Sequence, residues 1–173
     1  GSHPRQTRRE ELHVKYGIEM FEQNRDAAVE AAPPEANGGS LVVLAVKPQR
    51  LRRVLEELRG ALVKEQLVVS VVAGAKIETI AGELLHQSIV RTMPNTPAQI
   101  GEGVTAWTAS SEVTEQQEQQ VCALLDALGK TVRVENEHQI DMATALSATG
   151  PTYVFLMMEA LVDAGVHMGF SRH

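Results

Sequence analysis

Leu41-Val42-Val43-Leu44-Ala45-Val46-Lys47-Pro48-Gln49, LVVLAVKPQ, decides the reading of this chain. Six apolar residues in a row, with no polar face, are the pattern of a strand covered on both sides. Lys47-Pro48 then closes it, and Pro suits the first turn of a following helix. Val54, Leu58 and Leu62 recur beyond it with Arg and Glu between them, which predicts an amphipathic helix.

The alternation continues downstream. QLVVSVVAG (66–74) reads as a second buried strand, KIETIAGELL (76–85) as a helix and SIVRTM (88–93) as a third strand. Strands and helices alternating across short loops predict a parallel, doubly wound α/β sheet. VTAWTA (104–109), the helix 113–128 and the strand TVRVE (131–135) follow. From His138 the chain reads as helix, interrupted at Gly150-Pro151. Its last part, 152–169, is apolar on most faces, broken by a stripe of Glu159, Asp163 and His167. So apolar a helix is expected to be buried against another chain.

Upstream, TRREELHVKY (7–16) predicts a helix stopped by Gly17. IEMFE (18–22) alternates like a short strand, and Asn24 or Asp26 is set to cap a helix through Ala32. Residues 33–40, rich in Pro and Gly, read as a flexible turn. Gly1-Ser2-His3 resembles the scar of a cleaved tag and is set aside from the fold.

The 173 residues are 43% hydrophobic and 22% charged, enough for a core. A net charge of −6 provides no basic field for nucleic acid or an anionic membrane. Cys122, the single cysteine, has no disulfide partner within the chain. No apolar run approaches the roughly 18 residues of a membrane span, and no secretory signal is visible, so the expected compartment is the cytoplasm. The six histidines show no metal-ligand spacing, and no bound metal is expected. Nucleophile-elbow and Walker motifs are missing too.

Ligands of open α/β sheets bind at the carboxyl ends of the strands. Lys47 sits at such an end; it suits a phosphate or ribose, or is simply a solvated helix-start lysine. Ala73-Gly74 ends the next strand, where small residues let a flat ring approach. Arg91-Thr92-Met93-Pro94-Asn95-Thr96-Pro97 is stiffened by two prolines. Asn95 and Thr96 are its polar groups. An Asn amide suits a nicotinamide cofactor's carboxamide or ribose; the competing reading is an Asn turn held by its own backbone. Gly101-Glu102-Gly103 fits a turn or a close backbone approach. The small residues of Ala145–Tyr153 suit tight helix packing, with hydroxyls available to a ligand.

LAVKPQ (44–49), VRTMPNTPAQIGEGVTA (90–106) and ALSATGPTYVFLMMEALVDAGVHMG (145–169) together resemble the pyrroline-5-carboxylate reductase family. The pieces stand in that family's order and near its spacing, and the likeness runs from Lys15 to Arg172. It implies a Rossmann-like domain, here partial and placed at 4–135, and from 136 to 173 the first helices of an all-α dimerisation domain. It implies hydride transfer from NADPH or NADH to the C=N carbon of 1-pyrroline-5-carboxylate, giving L-proline. It also implies a homodimer or larger homo-oligomer through the C-terminal helices. By resemblance, Asn24, Ala45, Val46, Lys47, Pro48, Ala73, Gly74, Met93, Asn95 and Thr96 bind the cofactor, and Glu137 lies near the substrate. The family's leading Gly-x-Gly loop and its C-terminal Ser-Pro-Gly-Gly-Thr loop have no counterpart here. An inactive fragment that binds NADPH weakly or not at all is therefore expected. Gly-Ser-Gly-Pro reads Ala148-Thr149-Gly150-Pro151, and Pro33–Ser40 looks inserted. Two other readings stay open: an imine or β-hydroxyacid dehydrogenase of the same plan, and a non-catalytic truncated paralogue serving as a dimerisation module.

Overall fold

The computed structural model describes residues 1–32 and 40–172. The turn expected at 33–40 falls, except for Ser40, outside them. Five strands form one sheet in the order β1-β2-β3-β4-β5. They are β1 (Leu41–Leu44), β2 (Leu67–Ser70), β3 (Ile89–Met93), β4 (Gly103–Ala109) and β5 (Gly129–Arg133). β1, β2 and β3 are parallel. Their crossovers are α3 (Pro48–Leu58) and α4 (Ile77–Leu84).

The expected alternation is therefore present, with shorter strands. β2 and β3 are buried throughout, as their apolar runs require. β1 differs from expectation. It ends at Leu44, two residues early, and Val43 is exposed. The reason is position: β1 pairs with β2 alone, so among the described residues its other edge has no ladder. Pro48 opens α3 as predicted, with Arg50 N–H donating to the Lys47 carbonyl at 2.9 Å.

β4 runs antiparallel to β3. The link between them is a 3-10 turn (Thr96–Ile100), too short for a parallel crossover. β5 returns parallel to β4 through α5 (Glu115–Asp126). Gly103 and Gly129 face each other in that pair. A Cβ on Gly129 would stand 2.2 Å from the Gly103 carbonyl oxygen, and φ there is +127°. The Gly101-Glu102-Gly103 stretch thus serves backbone packing.

Helices cover both faces. Leu51, Leu55 and Leu58 of α3 pack with Ile80 and Leu84 of α4, Val68 and Ile89 on one side. Val121 and Leu125 of α5 pack with Leu67, Val69, Val90 and Trp107 on the other. Met93, Ala106 and Ile140 form a third cluster, where the helical segment meets the sheet.

The amino-terminal part departs from the sequence reading in three ways. Helix α1 (Gln6–Tyr16) ends at Gly17 in the left-handed conformation, as predicted. Residues 18–22, however, form no strand. A single parallel bridge joins Phe21 to Ser2. Gly1–His3, set aside above, thereby belongs to the folded structure: Phe21 N–H donates to the Gly1 carbonyl and His3 N–H to the Phe21 carbonyl. Helix α2 (Asn24–Glu30) is preceded by Gln23 at the cap position rather than by Asn24 or Asp26, and it stops short of Ala32.

At the other end, α6 (Glu137–Ala143), a π-turn (Thr144–Ala148) and α7 (Gly150–His167) run on as one helical stretch. The expected break at Gly150-Pro151 becomes the π-turn. Pro151 lacks an N–H, so the Ser147 carbonyl loses its helical donor. The Asn95 side-chain amide reaches it instead, at 3.5 Å. Thr149 Oγ1 donates to the Thr144 carbonyl at 2.9 Å. No residue of α7 is buried within the chain. By length and composition the stretch 137–167, with a window of mean hydropathy 1.3, is long and apolar enough to cross a membrane. The sequence reading found no apolar run near that length, whereas the π-turn joins α6 and α7 into one continuous helical stretch.

Candidate functional site

Because β1, β2 and β3 are parallel neighbours, the segments leaving their carboxyl ends emerge side by side. Ala45–Pro48, Ala73–Gly74 and Met93–Thr96 are these segments. The fold thus brings together most of the residues singled out as cofactor contacts. Ala45, Lys47, Pro48, Ala73, Gly74 and Thr96 are exposed there, and Val46 is half-buried. Gly74 takes φ +73°, and nothing lies within 4 Å of where its Cβ would stand. That is an open backbone surface, suited to the flat face or phosphates of a nucleotide.

Three of the expected contacts are otherwise engaged. Met93 is buried in the cluster with Ala106 and Ile140. Asn95 Oδ1 accepts from Val104 N–H at 2.9 Å, and its amide donates to Ser147, so both ends of the side chain tie the turn to β4 and the helical segment. Asn24 donates to Glu57 Oε2 at 2.6 Å and accepts from Ser2 Oγ at 2.7 Å. Arg53 Nε holds the other Glu57 oxygen at 2.8 Å. The Arg53 hydrogen bond, then that of Asn24, hold the Glu57 carboxyl below its ordinary range. Asn24 also borders a groove of about 280 Å³ between Gly1-Ser2 and the open edge of β1.

Glu137 opens α6, with Asn136 as its cap. Its Oε1 accepts from Ile77 N–H, the first amide of α4, at 2.9 Å. The same oxygen accepts from Arg91 Nη1 at 3.0 Å, and Arg91 Nη2 donates to Asp141 Oδ1 at 2.5 Å. Arg91 and Asp141 were not among the predicted site residues. Two signals stood in the sequence: an Arg inside the apolar run SIVRTM, and carboxylates at 137 and 141, one helical turn apart. Among the described residues no group of three His, Cys, Asp or Glu is placed to hold a metal ion.

Comparison with known proteins points to one family. Residues 137–173 match the family described as pyrroline-5-carboxylate reductase dimerisation. Residues 1–74 match that described as NADP oxidoreductase coenzyme F420-dependent. The chain is 38% identical over 174 residues to the pyrroline-5-carboxylate reductase of Pseudomonas aeruginosa, covering 99% of this chain. Along 99% of its length the chain is similar to pyrroline-5-carboxylate reductases.

The Mycobacterium tuberculosis pyrroline-5-carboxylate reductase is 41% identical over 157 residues, 87% of this chain and 53% of its own length. Among solved structures, the Coxiella burnetii pyrroline-5-carboxylate reductase superposes with a TM-score of 0.84 at 32% identity, over 99% of this chain and 61% of that one. The Plasmodium falciparum pyrroline carboxylate reductase, solved with NADP bound, gives 0.79 at 29% identity, over 91% of this chain and 57% of that one. The chain spans 60% of the length of the Pseudomonas pyrroline-5-carboxylate reductase. Aquifex aeolicus prephenate dehydrogenase, at 14% identity and TM-score 0.68, shares the fold alone.

Proposed function

We propose that this chain is part of an enzyme that reduces 1-pyrroline-5-carboxylate to L-proline with NADPH. The observation that carries the reading is the convergence of 45–48, 73–74 and 93–96 at one end of the parallel strands, in a chain similar to these reductases. The match to an NADP oxidoreductase family and the NADP-bound Plasmodium relative favour NADPH over NADH.

When bound, the nicotinamide supplies a hydride to an imine carbon that is electrophilic once the ring nitrogen is protonated. The protein's task is then placement rather than acid–base work. Ala45–Pro48 and Ala73–Gly74 hold the cofactor through exposed backbone, with Lys47 as the cation for a phosphate or ribose. Asn95 keeps the Met93–Thr96 turn in register with the helical segment, and its role is positioning. Glu137 stands on the substrate side, at the start of the helical segment. We place the boundary between the nucleotide-binding and helical parts at 135/136, supported by the Asn136 cap and by the dimerisation match from 137.

The same reading makes the protein a homo-oligomer whose apolar α7 packs against a second copy, and places it in the cytoplasm. The test of function is substrate competition with the complete gene product. NADPH consumption with 1-pyrroline-5-carboxylate, matched by proline formation, supports the proposal. Turnover of prephenate or β-hydroxy acids in place of the imine would sink it.

A further inference from the structure

Arg91 is 0% exposed, yet it carries a full charge and lies in a strand whose other residues are mostly apolar. Both its partners stand on one helix, at i and i+4, and are only partly buried: 29% exposed for Glu137 and 49% for Asp141. Its Nε has no hydrogen-bond partner among the described residues. Stability alone does not explain such an arrangement. Burying a guanidinium with one donor unmet is costly, and apolar residues of similar volume often serve a core as well or better. Its geometry, by contrast, is specific. A planar fork on β3 grips two carboxylates on α6 at once. One of them also closes on the first free amide of α4, where the helix dipole favours an anion. Three elements, β3, α4 and α6, therefore meet at one Glu137 oxygen. Two residues beyond Arg91 begins the Met93–Thr96 turn.

We propose that Arg91 is a positioning residue that latches the helical segment onto the sheet. It fixes Glu137 beside the α4 amino terminus and at a set distance from the Met93–Thr96 turn. Through that latch it sets the register between the substrate side and the cofactor side of the site. The kinetic consequence rests on the reductase reading; the structural one does not.

The test uses Arg91→Lys, Arg91→Met, Glu137→Gln and Asp141→Asn, each in the full chain, followed by amide hydrogen exchange. Lys retains the charge but cannot span two carboxylates. Exchange at Ile77 and across 137–148 is expected to speed up about tenfold in Arg91→Lys and more in Arg91→Met. The amides of β2 and of Trp107 should stay as protected as before. Glu137→Gln keeps an oxygen for Ile77 N–H and should retain most of the protection there. Should Arg91→Met fail to fold, the Lys variant with Asp141→Asn decides the matter. Uniform loss of protection across the sheet, or none in any folded variant, would overturn the latch.

In the complete gene product, Arg91→Lys is expected to raise KM for the imine about tenfold or more and to leave KM for NADPH unmoved. A misplacement of about 1 Å is enough for effects of that size or larger. Both constants rising together, or neither, would overturn the positioning role. A wild-type protein with no reductase activity would sink the reductase reading, while hydrogen exchange still decides the latch.

Discussion

Leu161→Ala is expected to weaken self-association by a calculable amount. Leu161 lies mid-way along α7 and is 64% exposed in the isolated chain, beside Met157, Met158 and Val162, which are exposed too. Fully burying a Leu stabilises by about 1.5–3 kcal/mol. With about two thirds of the side chain still open, packing α7 against a second copy gains roughly 1–2 kcal/mol at this residue. A twofold interface contains the residue twice, so the substitution costs roughly 2–4 kcal/mol per dimer. At about 1.4 kcal/mol per decade, this corresponds to a Kd raised about 30- to 700-fold. Sedimentation equilibrium over a dilution series measures it. Val14→Ala, on exposed α1, is the control and should leave Kd unchanged. A monomeric wild-type chain, or a Leu161→Ala dimer as tight as the parent, would refute the reasoning.

Three further outcomes follow from the geometry. Thr114 and Gln117 form a reciprocal capping box on α5, each side chain bonding the other's backbone amide. Thr114→Ala should therefore lower stability by about 1 kcal/mol in urea titration, and an unchanged midpoint would contradict the box. Gly129→Ala puts a methyl group against the Gly103 backbone at a φ that only glycine adopts freely. It should cost roughly 3 kcal/mol, read as a fall in Tm, or abolish folding; a wild-type Tm would contradict that close approach. Glu57, held ionised below its ordinary range by Arg53 and Asn24, contributes stability that is fully present above about pH 4.3. That contribution fades as pH falls through the lower folded value. The stability difference between wild type and Glu57→Gln should thus be flat above about pH 5 and shrink below about pH 4. A difference that grows on acidification would show the sign to be wrong.

Much of the fold was legible because its signals are local. The runs at 41–46, 66–74 and 88–93 mark strands by apolar content alone, and Pro48 and Gly17 mark helix ends by backbone chemistry. What the sequence concealed is set by pairing. The exposure of Val43 follows from β1 having a neighbour on one side, which no run of valines reveals. The antiparallel direction of β4 follows from the length of the 3-10 link, and the part played by Gly1–His3 from Phe21 lying alongside.

The candidate site was legible in location more than in role. LVVLAVKPQ, Ala73-Gly74 and MPNT were assigned to one end of the sheet, and the parallel pairing puts them there. Asn95 was read either as an amide for a ligand or as a turn held by its own backbone, and in the structure its two ends hold the turn to Val104 and Ser147. The need for that bond arises 56 residues later, at Pro151, where a carbonyl is left without its helical donor. Arg91 sat in plain view inside the strand motif. Its role depends on carboxylates 46 and 50 residues further along the chain.

The most direct test of the account is isotope transfer by the complete gene product. NADPH carrying deuterium at the transferable position is incubated with 1-pyrroline-5-carboxylate, and the product is analysed by mass spectrometry. The account predicts L-proline bearing one deuterium at the former imine carbon, with one NADPH consumed per proline. Undeuterated product, or NADPH left unoxidised by the imine, would contradict it.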